Sequence, residues 1–328
     1  MKFQKIAVTG GAGFIGANFI KYIFNKFKDK NVINIDNLSE GSNLSNLKFL
    51  DTNKKYTFIN EDINSNSIIE ILDENNVDCV VHFAAQSHVD RSIESPNDFI
   101  RTNINGTYNL LEAINYLKSK GQKIHFHHVS TDEVFGDLDF QDPGFTESTK
   151  YKPSSPYSAS KAASDHLVNA WHKTFKIPVT ISNCSNNYGP GQDVEKLIPK
   201  TINNCINNIE IPIYGNGKNV RDWLYVDDHC QAIVSILSAG KLGESYNIGG
   251  GYEDTNISIV TKICNLTDEA LKRENGTSLN LITYVGDRKG HDRRYSINNS
   301  KIYNSLKWEP KHTFSDALLK TIKWYIQK

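Results

Sequence analysis

Residues 9–16 read Thr9-Gly10-Gly11-Ala12-Gly13-Phe14-Ile15-Gly16, directly after a β-rich run, Lys5–Thr9, and before a helical pattern. Three of the glycines, Gly10, Gly13 and Gly16, are spaced Gly-x-x-Gly-x-x-Gly. Glycine permits a tight turn and a close approach of the backbone to a pyrophosphate, while the helix N-terminus supplies N–H donors and a positive dipole end. The stretch therefore predicts a dinucleotide-binding strand–loop–helix unit.

Short apolar runs alternate with helical patterns through the first half of the chain. Further strands are predicted over residues 31–35, 56–59, 78–83, 123–129 and 178–182, and the clearest helices over residues 98–117 and 158–175. This alternation, with apolar strands, predicts a parallel sheet covered by helices on both faces. Right-handed crossovers make it a doubly wound α/β fold of the Rossmann type.

The second half is less regular because prolines and glycines divide it into shorter segments. Helices are predicted there over residues 195–205, 227–238, 257–264 and 314–326, and no flexible linker separates the two halves. We therefore predict an NAD-binding domain over residues 1–185, to which later segments return. A smaller, interleaved substrate-binding domain is predicted over residues 186–328.

Composition argues against several classes of protein. The 328 residues carry 37 Lys and Arg against 37 Asp and Glu, whereas nucleic-acid binders usually show a basic excess. No run approaches the roughly 20 apolar residues that span a bilayer, so no membrane partner is expected. The five cysteines are widely spaced without a Cys-x-x-Cys pair, which predicts no metal site, no disulfides and a cytoplasmic location.

Asp36 ends the second predicted strand, 20 residues after Gly16. An acid at this point accepts hydrogen bonds from ribose hydroxyls and repels a 2′-phosphate, so the predicted cofactor is NAD rather than NADP. Asp62 and Ile63, and the small residues after Phe83, also follow strands. By themselves these segments do not predict a binding site. Asp62 is explained by helix capping, and the small residues after Phe83 by close packing at a strand end.

A second motif, Tyr157-Ser158-Ala159-Ser160-Lys161, stands at the start of a predicted helix, where its Tyr and Lys share one face. An ammonium beside a phenol lowers the pKa of the phenol and makes it a usable base near neutral pH. Such a pair is common by chance. After a dinucleotide loop, and with Ser130 and Thr131 at a strand end, it predicts a redox site.

These motifs together resemble the extended short-chain dehydrogenases/reductases and, more narrowly, the dTDP-glucose 4,6-dehydratase family, from about residue 5 to residue 325. The stretches that carry the resemblance most specifically are Ser87-His88-Val89-Asp90-Arg91-Ser92, Ser130-Thr131-Asp132-Glu133-Val134, residues 154–161, 183–190 and 195–199, Arg221-Asp222-Trp223-Leu224, residues 246–250 and Gly290-His291-Asp292-Arg293-Arg294-Tyr295.

The resemblance implies a reaction as well as a fold. Tyr157 would take the proton of the sugar C4 hydroxyl as the C4 hydride passes to NAD, with Thr131 bound to the C4 oxygen and Lys161 orienting Tyr157 and the ribose. Glu133 would then remove the C5 proton while Asp132 protonates the departing C6 hydroxyl, before the hydride returns to C6. The substrate would be dTDP-glucose, the product dTDP-4-keto-6-deoxyglucose, and the assembly a homodimer paired through the helices over residues 98–117 and 158–175.

Binding residues are carried over position by position. The cofactor contacts would be Gly10, Gly13, Phe14, Ile15, Gly16, Asp36, Asn37, Leu38, Ser39, Asp62, Ile63, Phe83, Ala84, Ala85, Ser87, Thr102, Tyr157, Lys161 and Asn187. The substrate contacts would be Ser87, Thr131, Asn186, Lys196, Leu197, Pro212, Ile213, Tyr214, Arg221, Asn256, Asp287, Arg288 and His291. Arg221 offers a planar fork to a diphosphate; the alternative is a surface ion pair with Asp222.

The chain departs from the family pattern at several positions, none of them catalytic. They are Gln86 for Glu, Phe135 for Tyr, Ser39-Glu40-Gly41-Ser42 for a stretch with Tyr-Ala-Gly, Gln192-Asp193-Val194 for an aromatic–Pro pair, and Lys289 for Pro. The last two lie near the expected nucleotide, so UDP- and CDP-sugar dehydratases remain alternatives. A UDP-hexose 4-epimerase needs no Asp132–Glu133 pair, and a dinucleotide sensor needs none of the catalytic groups.

Overall fold

The computed structural model describes all 328 residues. Its strands are β1 (Lys5–Thr9), β2 (Asn31–Asp36), β3 (Tyr56–Asn60), β4 (Cys79–His82), β5 (His125–Thr131), β6 (Val179–Cys184), β7 (Asn186–Tyr188), β8 (Ile211–Tyr214), β9 (Val220–Tyr225), β10 (Ser245–Ile248), β11 (Glu253–Thr255) and β12 (Ile282–Val285). Seven of them form one parallel sheet in the order β3-β2-β1-β4-β5-β6-β10.

The helices are α1 (Phe14–Lys26), α2 (Ile68–Glu74), α3 (Val89–Glu94), α4 (Pro96–Phe99), α5 (Gly106–Ser119), α6 (Pro156–Phe175), α7 (Leu197–Asn207), α8 (Val226–Ala239), α9 (Asn256–Ala270), α10 (Ser300–Leu306) and α11 (Phe314–Ile326). None of them is both long enough and apolar enough to cross a membrane. Short 3₁₀ turns cover Leu44–Leu50, Asp132–Phe135 and Ser278–Leu281.

Both faces of the large sheet are covered, so its central strands β1, β4, β5 and β6 are buried along almost their whole length. On one face, α2, α5 and α6 pack through side chains such as Leu72, Leu111 and Val168. On the other, Ile20 of α1 and Ile233 of α8 belong to a second buried cluster. The predicted doubly wound α/β fold is confirmed.

Segments from the second half take part in both regions of the molecule. The strand β10 extends the large sheet, and α8 covers it. The remaining segments form two small sheets, β11-β9-β7 and β12-β8, and a separate core in which α7, α9 and α11 pack together. The division at residue 185 stays a prediction, because residues beyond it serve both regions.

The structure differs from the predicted elements in two respects. The six strands β7 to β12 were not predicted, because each has only three to six residues and most pair with a strand distant in sequence. The helix over residues 98–117 is instead α4, a π-helical turn over Ile100–Asn105, and α5. At that turn the carbonyl of Asn103 accepts hydrogen bonds from the hydroxyls of Thr107 and Ser164, both at 2.6 Å.

Candidate active site

A cavity runs along the carboxyl edge of the large sheet, where the strand order reverses between β1 and β4. Ligands bind at such a switch point because the connections from neighbouring strands leave in opposite directions and open a crevice. The walls come from the loops after β1, β2, β4, β5 and β6. Residues far apart in sequence are therefore brought to one edge by the sheet order.

The turn after β1 requires glycine at two positions. Gly10 has φ +68°, and a Cβ there would lie 2.6 Å from the backbone of Ala84 in the loop after β4. A Cβ on Gly16 would collide with the carbonyl of Gly10, so helix α1 could not approach the turn as closely. The two glycines thus let the loops after β1 and β4 meet at the floor of the cavity.

The first turn of α1 fits the pyrophosphate of a dinucleotide. Gly13 caps this helix without any side-chain hydrogen bond, and no acidic residue stands in the first turn. Gly13 and Phe14 both line the cavity, so uncapped N–H groups and the positive end of the helix dipole face it.

Asp36 lies at the end of β2 and is 5% exposed. One carboxylate oxygen accepts from the Ala12 N–H at 2.9 Å, and the other accepts from the Leu38 N–H and the Ser42 hydroxyl, each at 2.9 Å. The carboxylate therefore fixes the glycine turn and the loop after β2. It still lines the cavity, where its remaining lone pairs can meet ribose hydroxyls.

The structure brings together all but one of the predicted cofactor residues. The cavity is lined by Gly10, Gly13, Phe14, Ile15, Gly16, Asp36, Asn37, Ser39, Asp62, Ile63, Phe83, Ala84, Ala85, Ser87, Thr102, Tyr157, Lys161 and Asn187. Leu38 does not line it, and the leucine side chain is 40% exposed. The contribution of Leu38 is its backbone N–H on Asp36.

Helix α6 places Tyr157 and Lys161 on the cavity wall. It begins with a capping box between Ser155 and Ser158 and with Pro156 in its first turn, which fixes the start of the helix one residue before Tyr157. The Lys161 Nζ donates to the Val129 carbonyl at 2.9 Å. Burial lowers the pKa of Lys161 to about 8, so at neutral pH the side chain is still an ammonium.

The pKa of Tyr157 is raised, whereas the sequence predicts a lowered value. Burial raises it well above the usual phenol value, and the negative charge of Glu133 raises it further, while Thr131 acts in the other direction. Lys161 is held on the Val129 carbonyl rather than on the phenol. In this state Tyr157 is therefore a neutral phenol.

Asp132 and Glu133 form a short 3₁₀ turn directly after β5, and both line the cavity. Burial raises the pKa of Asp132 well above the usual carboxyl value, and the charges of Glu133 and Asp222 raise it further. One oxygen of Asp132, Oδ2, is buried without a hydrogen-bond partner, so no donor stabilises a negative charge on it.

Glu133 experiences a different environment although it is the next residue. Burial raises the pKa of this carboxyl as well, but the positive charges of Arg221 and Lys196 counter the shift. The pKa values of both carboxyls are therefore raised, but nearby cations oppose the shift at Glu133 while neighbouring carboxyls reinforce it at Asp132. Such a difference in surroundings is the arrangement that acid–base catalysis by a carboxyl pair needs.

The predicted substrate residues fall into two groups. Ser87, Thr131, Asn186 and Lys196 line the cavity, and the Lys196 Nζ donates to the Ser87 carbonyl at 3.0 Å. The others lie outside its lining: Leu197, Pro212, Ile213, Tyr214, Arg221, Asn256, Asp287, Arg288 and His291. Within this second group the Ile213 side chain is 2% exposed and belongs to a core with Val260.

Arg221 is buried, and it does not form the surface ion pair with Asp222. Its guanidinium donates to the carbonyls of Val220 at 2.8 Å and Asp292 at 3.0 Å, and lies 4.3 Å from the ring centre of Tyr295. These contacts fix the fork in one orientation. Its charge acts on both Asp132 and Glu133, because it lowers the carboxyl pKa values that burial raises.

A loop after β12 forms an outer wall. Arg288 pairs with Asp90 of α3 at 2.5 Å and lies 5.2 Å from the ring centre of Tyr214. Asp287 accepts from His291 at 2.7 Å. The Arg288–Asp90 pair joins the segment after β12 to helix α3, which follows β4.

Comparison with known families agrees with this arrangement. The model of one family, GDP-mannose 4,6 dehydratase, matches residues 7–321 of the chain. The chain belongs to this family.

Individual relatives are similar over nearly their whole length. The dTDP-glucose 4,6-dehydratase of Haemophilus influenzae is 51% identical over 332 residues, covering 98% of each chain. A crystal structure of the dTDP-glucose 4,6-dehydratase of Bacillus anthracis in complex with NAD is 42% identical, with a TM-score of 0.88 and coverage of 99% of this chain and 97% of that one. The Streptomyces venezuelae enzyme of the same name, crystallised with NAD bound, is 39% identical with a TM-score of 0.91, covering 99% and 98%.

Several cavity residues were not among the predicted site residues. Ser130, Cys184 and Ser185 follow or end β5 and β6, and their position at strand ends on the ligand-binding edge was a usable signal. Arg91 is different: its guanidinium pairs with Glu195 at 2.6 Å and also with Glu40. These three charges come from helix α3 and two separate loops, so no spacing in the sequence marks them.

Proposed function

We propose that the chain converts dTDP-glucose to dTDP-4-keto-6-deoxyglucose by removal of water. One observation carries the proposal: Asp132 and Glu133, two adjacent carboxyls with differently charged neighbours, share a cavity with Tyr157 and Lys161. An oxidoreductase or an epimerase requires no such carboxyl pair. The family and the names of the relatives support the same reaction.

The first stage uses the Tyr157–Lys161 pair. Tyr157 accepts the proton of the sugar C4 hydroxyl, and the Thr131 hydroxyl holds the C4 oxygen. NAD, when bound in the cavity, accepts the C4 hydride and later returns it to C6. Tyr157 is a neutral phenol without ligands, so it must first release its own proton to solvent, which the positive charge of a bound cofactor beside Lys161 would favour.

The second stage uses the carboxyl pair. Oxidation at C4 acidifies the proton at C5, and Glu133 as a carboxylate removes it. Asp132 as a neutral acid gives its proton to the C6 hydroxyl, which leaves as water. Hydride return to C6 and protonation of C5 complete the 4-keto-6-deoxy sugar, so each turnover releases one water and restores the cofactor.

The cationic side chains around the second group of predicted residues suit a nucleoside diphosphate. Arg221 presents a fixed guanidinium, and Arg288 and Lys196 add two positive charges within reach of the Glu133 carboxylate. A diphosphate prefers such a planar fork supported by further cations. Tyr214, which is 39% exposed and lies beside Arg288, offers a flat surface for the base.

Mass spectrometry on a panel of nucleotide sugars tests the proposal. Incubation with dTDP-glucose should give a product lighter by one water, whereas UDP-glucose, CDP-glucose and GDP-mannose should react more slowly. A product of unchanged mass identifies an epimerase and overturns the proposal. Unchanged substrate throughout the panel indicates a dinucleotide-binding protein without catalysis.

We also propose that the chain is a cytoplasmic homodimer. Tyr108 and Tyr116 on α5 and Phe175 on α6 are 47%, 49% and 38% exposed, although α5 and α6 pack side by side. Pairing these helices with those of a second copy would bury this apolar face in a four-helix bundle. The five cysteines are free thiols, which suits a reducing compartment.

Light scattering at micromolar concentration tests the dimer. The unmodified chain should have twice the mass of one subunit, and Tyr116→Glu should reduce it to one. Tyr303→Glu is the matched control, because Tyr303 on α10 is equally exposed, at 49%, but lies away from α5 and α6. A monomeric wild-type chain contradicts the proposal.

A further inference from the structure

A fully buried carboxylate lies behind the Tyr157–Lys161 pair and has no role in the steps described so far. It belongs to Asp165, whose exposure is 0%, on the same helix four residues after Lys161. Residues four apart share one helical face, so Tyr157, Lys161 and Asp165 form one row along α6. A buried charge in this position needs an explanation.

One oxygen of Asp165 is well satisfied. Oδ2 accepts three hydrogen bonds, from the hydroxyl of Ser130 at 2.9 Å, the phenol of Tyr151 at 2.8 Å and the amide of Asn183 at 3.1 Å. These donors come from β5, β6 and the segment before α6. They hold the carboxylate at a fixed place beneath the cavity.

The other oxygen lies next to His128, which in turn contacts Lys161. Oδ1 receives no hydrogen bond of regular geometry, and its nearest polar neighbour is His128 Nε2 at 3.2 Å. The same Nε2 lies 3.4 Å from the Lys161 Nζ. An oxygen of the buried carboxylate thus lies beside the same nitrogen that the Lys161 ammonium contacts.

The protonation states fit a charge pair. Burial alone would raise the pKa of Asp165, but His128, the Lys161 charge and the Tyr151 hydrogen bond bring it below the usual carboxyl value. Burial lowers the pKa of Lys161, and the charge of Asp165 is the first of the groups that raise it again. Burial lowers the pKa of His128 to about 4, so the ring between them is neutral.

We infer that Asp165 is a positioning residue of this reaction: its buried carboxylate is the counter-ion that keeps Lys161 as an ammonium behind Tyr157. Lys161 is 4% exposed and its one strong acceptor is the Val129 carbonyl, which is neutral. Without Asp165 the buried ammonium would lose the anion that raises its pKa most, and its proton would be lost at lower pH. The inference rests on the proposed function, in which Lys161 orients Tyr157.

Other titratable groups also face Lys161, and the test must separate them from Asp165. They come from β4, β5, β6, the turn after β5 and α6 itself, and are His82, His128, Cys184, Asp132, Glu133 and Tyr157. Burial holds His82 neutral, as it does His128, and raises the pKa of Cys184 to about 12. Only Asp165 and the two carboxyls of the cavity can therefore carry negative charge near it.

The first experiment is the pH profile of turnover for Asp165→Asn and Tyr151→Phe. Activity that needs the Lys161 ammonium is present below the lysine pKa and lost as pH rises through it. Asp165→Asn should move this alkaline limb to lower pH by about one unit. Tyr151→Phe removes a hydrogen bond on the same carboxylate but leaves its charge, so its limb should stay in place. A purely structural role would lower activity in both variants without moving either limb, and that result overturns the inference.

A second experiment needs no turnover and therefore tells failure of this inference from failure of the proposed function. Lys161→Met, Asp165→Asn and the double variant are compared by urea unfolding. If the two charges stabilise each other, the double variant should be more stable than Asp165→Asn, since removing both leaves no isolated charge. Recovery of folded protein in the double variant, where Asp165→Asn alone does not fold, gives the same support. A double variant no more stable than Asp165→Asn overturns the inference.

Discussion

The two ends of the central cavity are built in different ways. At the cofactor end, the contacts depend on backbone: a turn with φ +68° at Gly10, the uncapped N-terminus of α1, and N–H groups held by Asp36. At the reaction end they depend on titratable side chains, Asp132, Glu133 and Tyr157, whose protonation is set by burial and neighbouring charge. We therefore expect the shape of the backbone to determine cofactor binding at one end, and electrostatics to determine the chemistry at the other.

The largest effect is expected where electrostatics acts on the chemistry alone. Oxidation at C4 uses Tyr157 and Lys161, so Asp132→Asn combined with Glu133→Gln should still transfer a hydride. Elimination should slow by about 10²–10⁴-fold for each lost acid–base step. Stopped-flow absorbance should show enzyme-bound NADH, with little 4-keto-6-deoxy product by mass spectrometry.

Two comparisons make that result specific. Tyr157→Phe should suppress the NADH signal itself, because it removes the base of the first stage. Asp139→Asn changes an exposed carboxyl seven residues further along, which pairs only with exposed Arg293, and should leave both signals unchanged. Dehydration at the normal rate in the double carboxyl variant would show that the reaction end is not built as described.

At the cofactor end, a single methyl group should have the strongest effect. Gly10→Ala places a Cβ at φ +68° and 2.6 Å from the Ala84 backbone, so the loops after β1 and β4 must separate. We expect bound NAD to be lost and the free energy of unfolding to fall by about 3 kcal/mol. Chromatography of the cofactor released on denaturation measures the bound NAD. Urea unfolding measures the free energy of unfolding.

Gly121→Ala is the matched control. Gly121 also has a positive φ, +94°, but no atom lies within 4 Å of its Cβ position. It should lose only about 1 kcal/mol of stability, from the backbone conformation, and retain NAD. Equal losses in the two variants would mean that backbone conformation, rather than the close approach of two loops, governs the cofactor end.

The same contrast explains what the sequence predicts well. Gly10, Gly13 and Asp36 stand at fixed places in a strand–loop–helix unit, and Tyr157 and Lys161 share one turn of a helix, so local spacing marks them. The parallel sheet follows from apolar strands between helical patterns. These features depend on neighbours within about 20 residues.

Other features depend on contacts between distant segments, and local spacing does not mark them. The strand β10 pairs with β6, about 65 residues earlier, and contains only four residues. The raised pKa of Tyr157 results from burial among Glu133 and other groups, which cancels the lowering expected from its Lys neighbour. Asp165 was visible in the sequence as the fourth residue after Lys161, but its burial and its three donors were not.

Asp36 combines both features, because its charged side chain holds backbone N–H groups of the loops after β1 and β2. Asp36→Ala removes acceptors from the N–H groups of Ala12 and Leu38 and from the Ser42 hydroxyl. Binding of NAD should weaken about tenfold, the effect of about 1.4 kcal/mol, and its advantage over NADP should narrow because no charge then repels the 2′-phosphate. Titration calorimetry with both cofactors measures this, and Asp51→Ala, an exposed carboxyl at the end of the next turn, is the control. Purified protein that carries NADP would contradict the assignment.

The smallest expected effect is on the free energy of unfolding and comes from the buried carboxyl of Asp132. Because the folded pKa of Asp132 is raised, folding favours its protonated form, and the residue is destabilising at any pH above its unfolded pKa. Asn has nearly the shape of a protonated carboxyl and can still accept from the Thr131 hydroxyl, so Asp132→Asn should stabilise the chain at pH 7, by about 1 kcal/mol.

That gain should shrink as pH falls towards about 4, where the unfolded carboxyl is protonated as well and the two states no longer differ. Asp254→Asn should behave in the opposite way. The pKa of Asp254 is lowered, despite its partial burial, by hydrogen bonds from Lys262 and Ser258, so its charge stabilises the fold at pH 7 and the loss should vanish on acidification. Urea unfolding of the wild-type chain and both variants between pH 4 and pH 7 measures how each change in the free energy of unfolding depends on pH. If Asp132→Asn destabilises the chain at pH 7, the carboxyl is ionised and stabilised there, and the acid of the second stage has to be assigned to Glu133 instead.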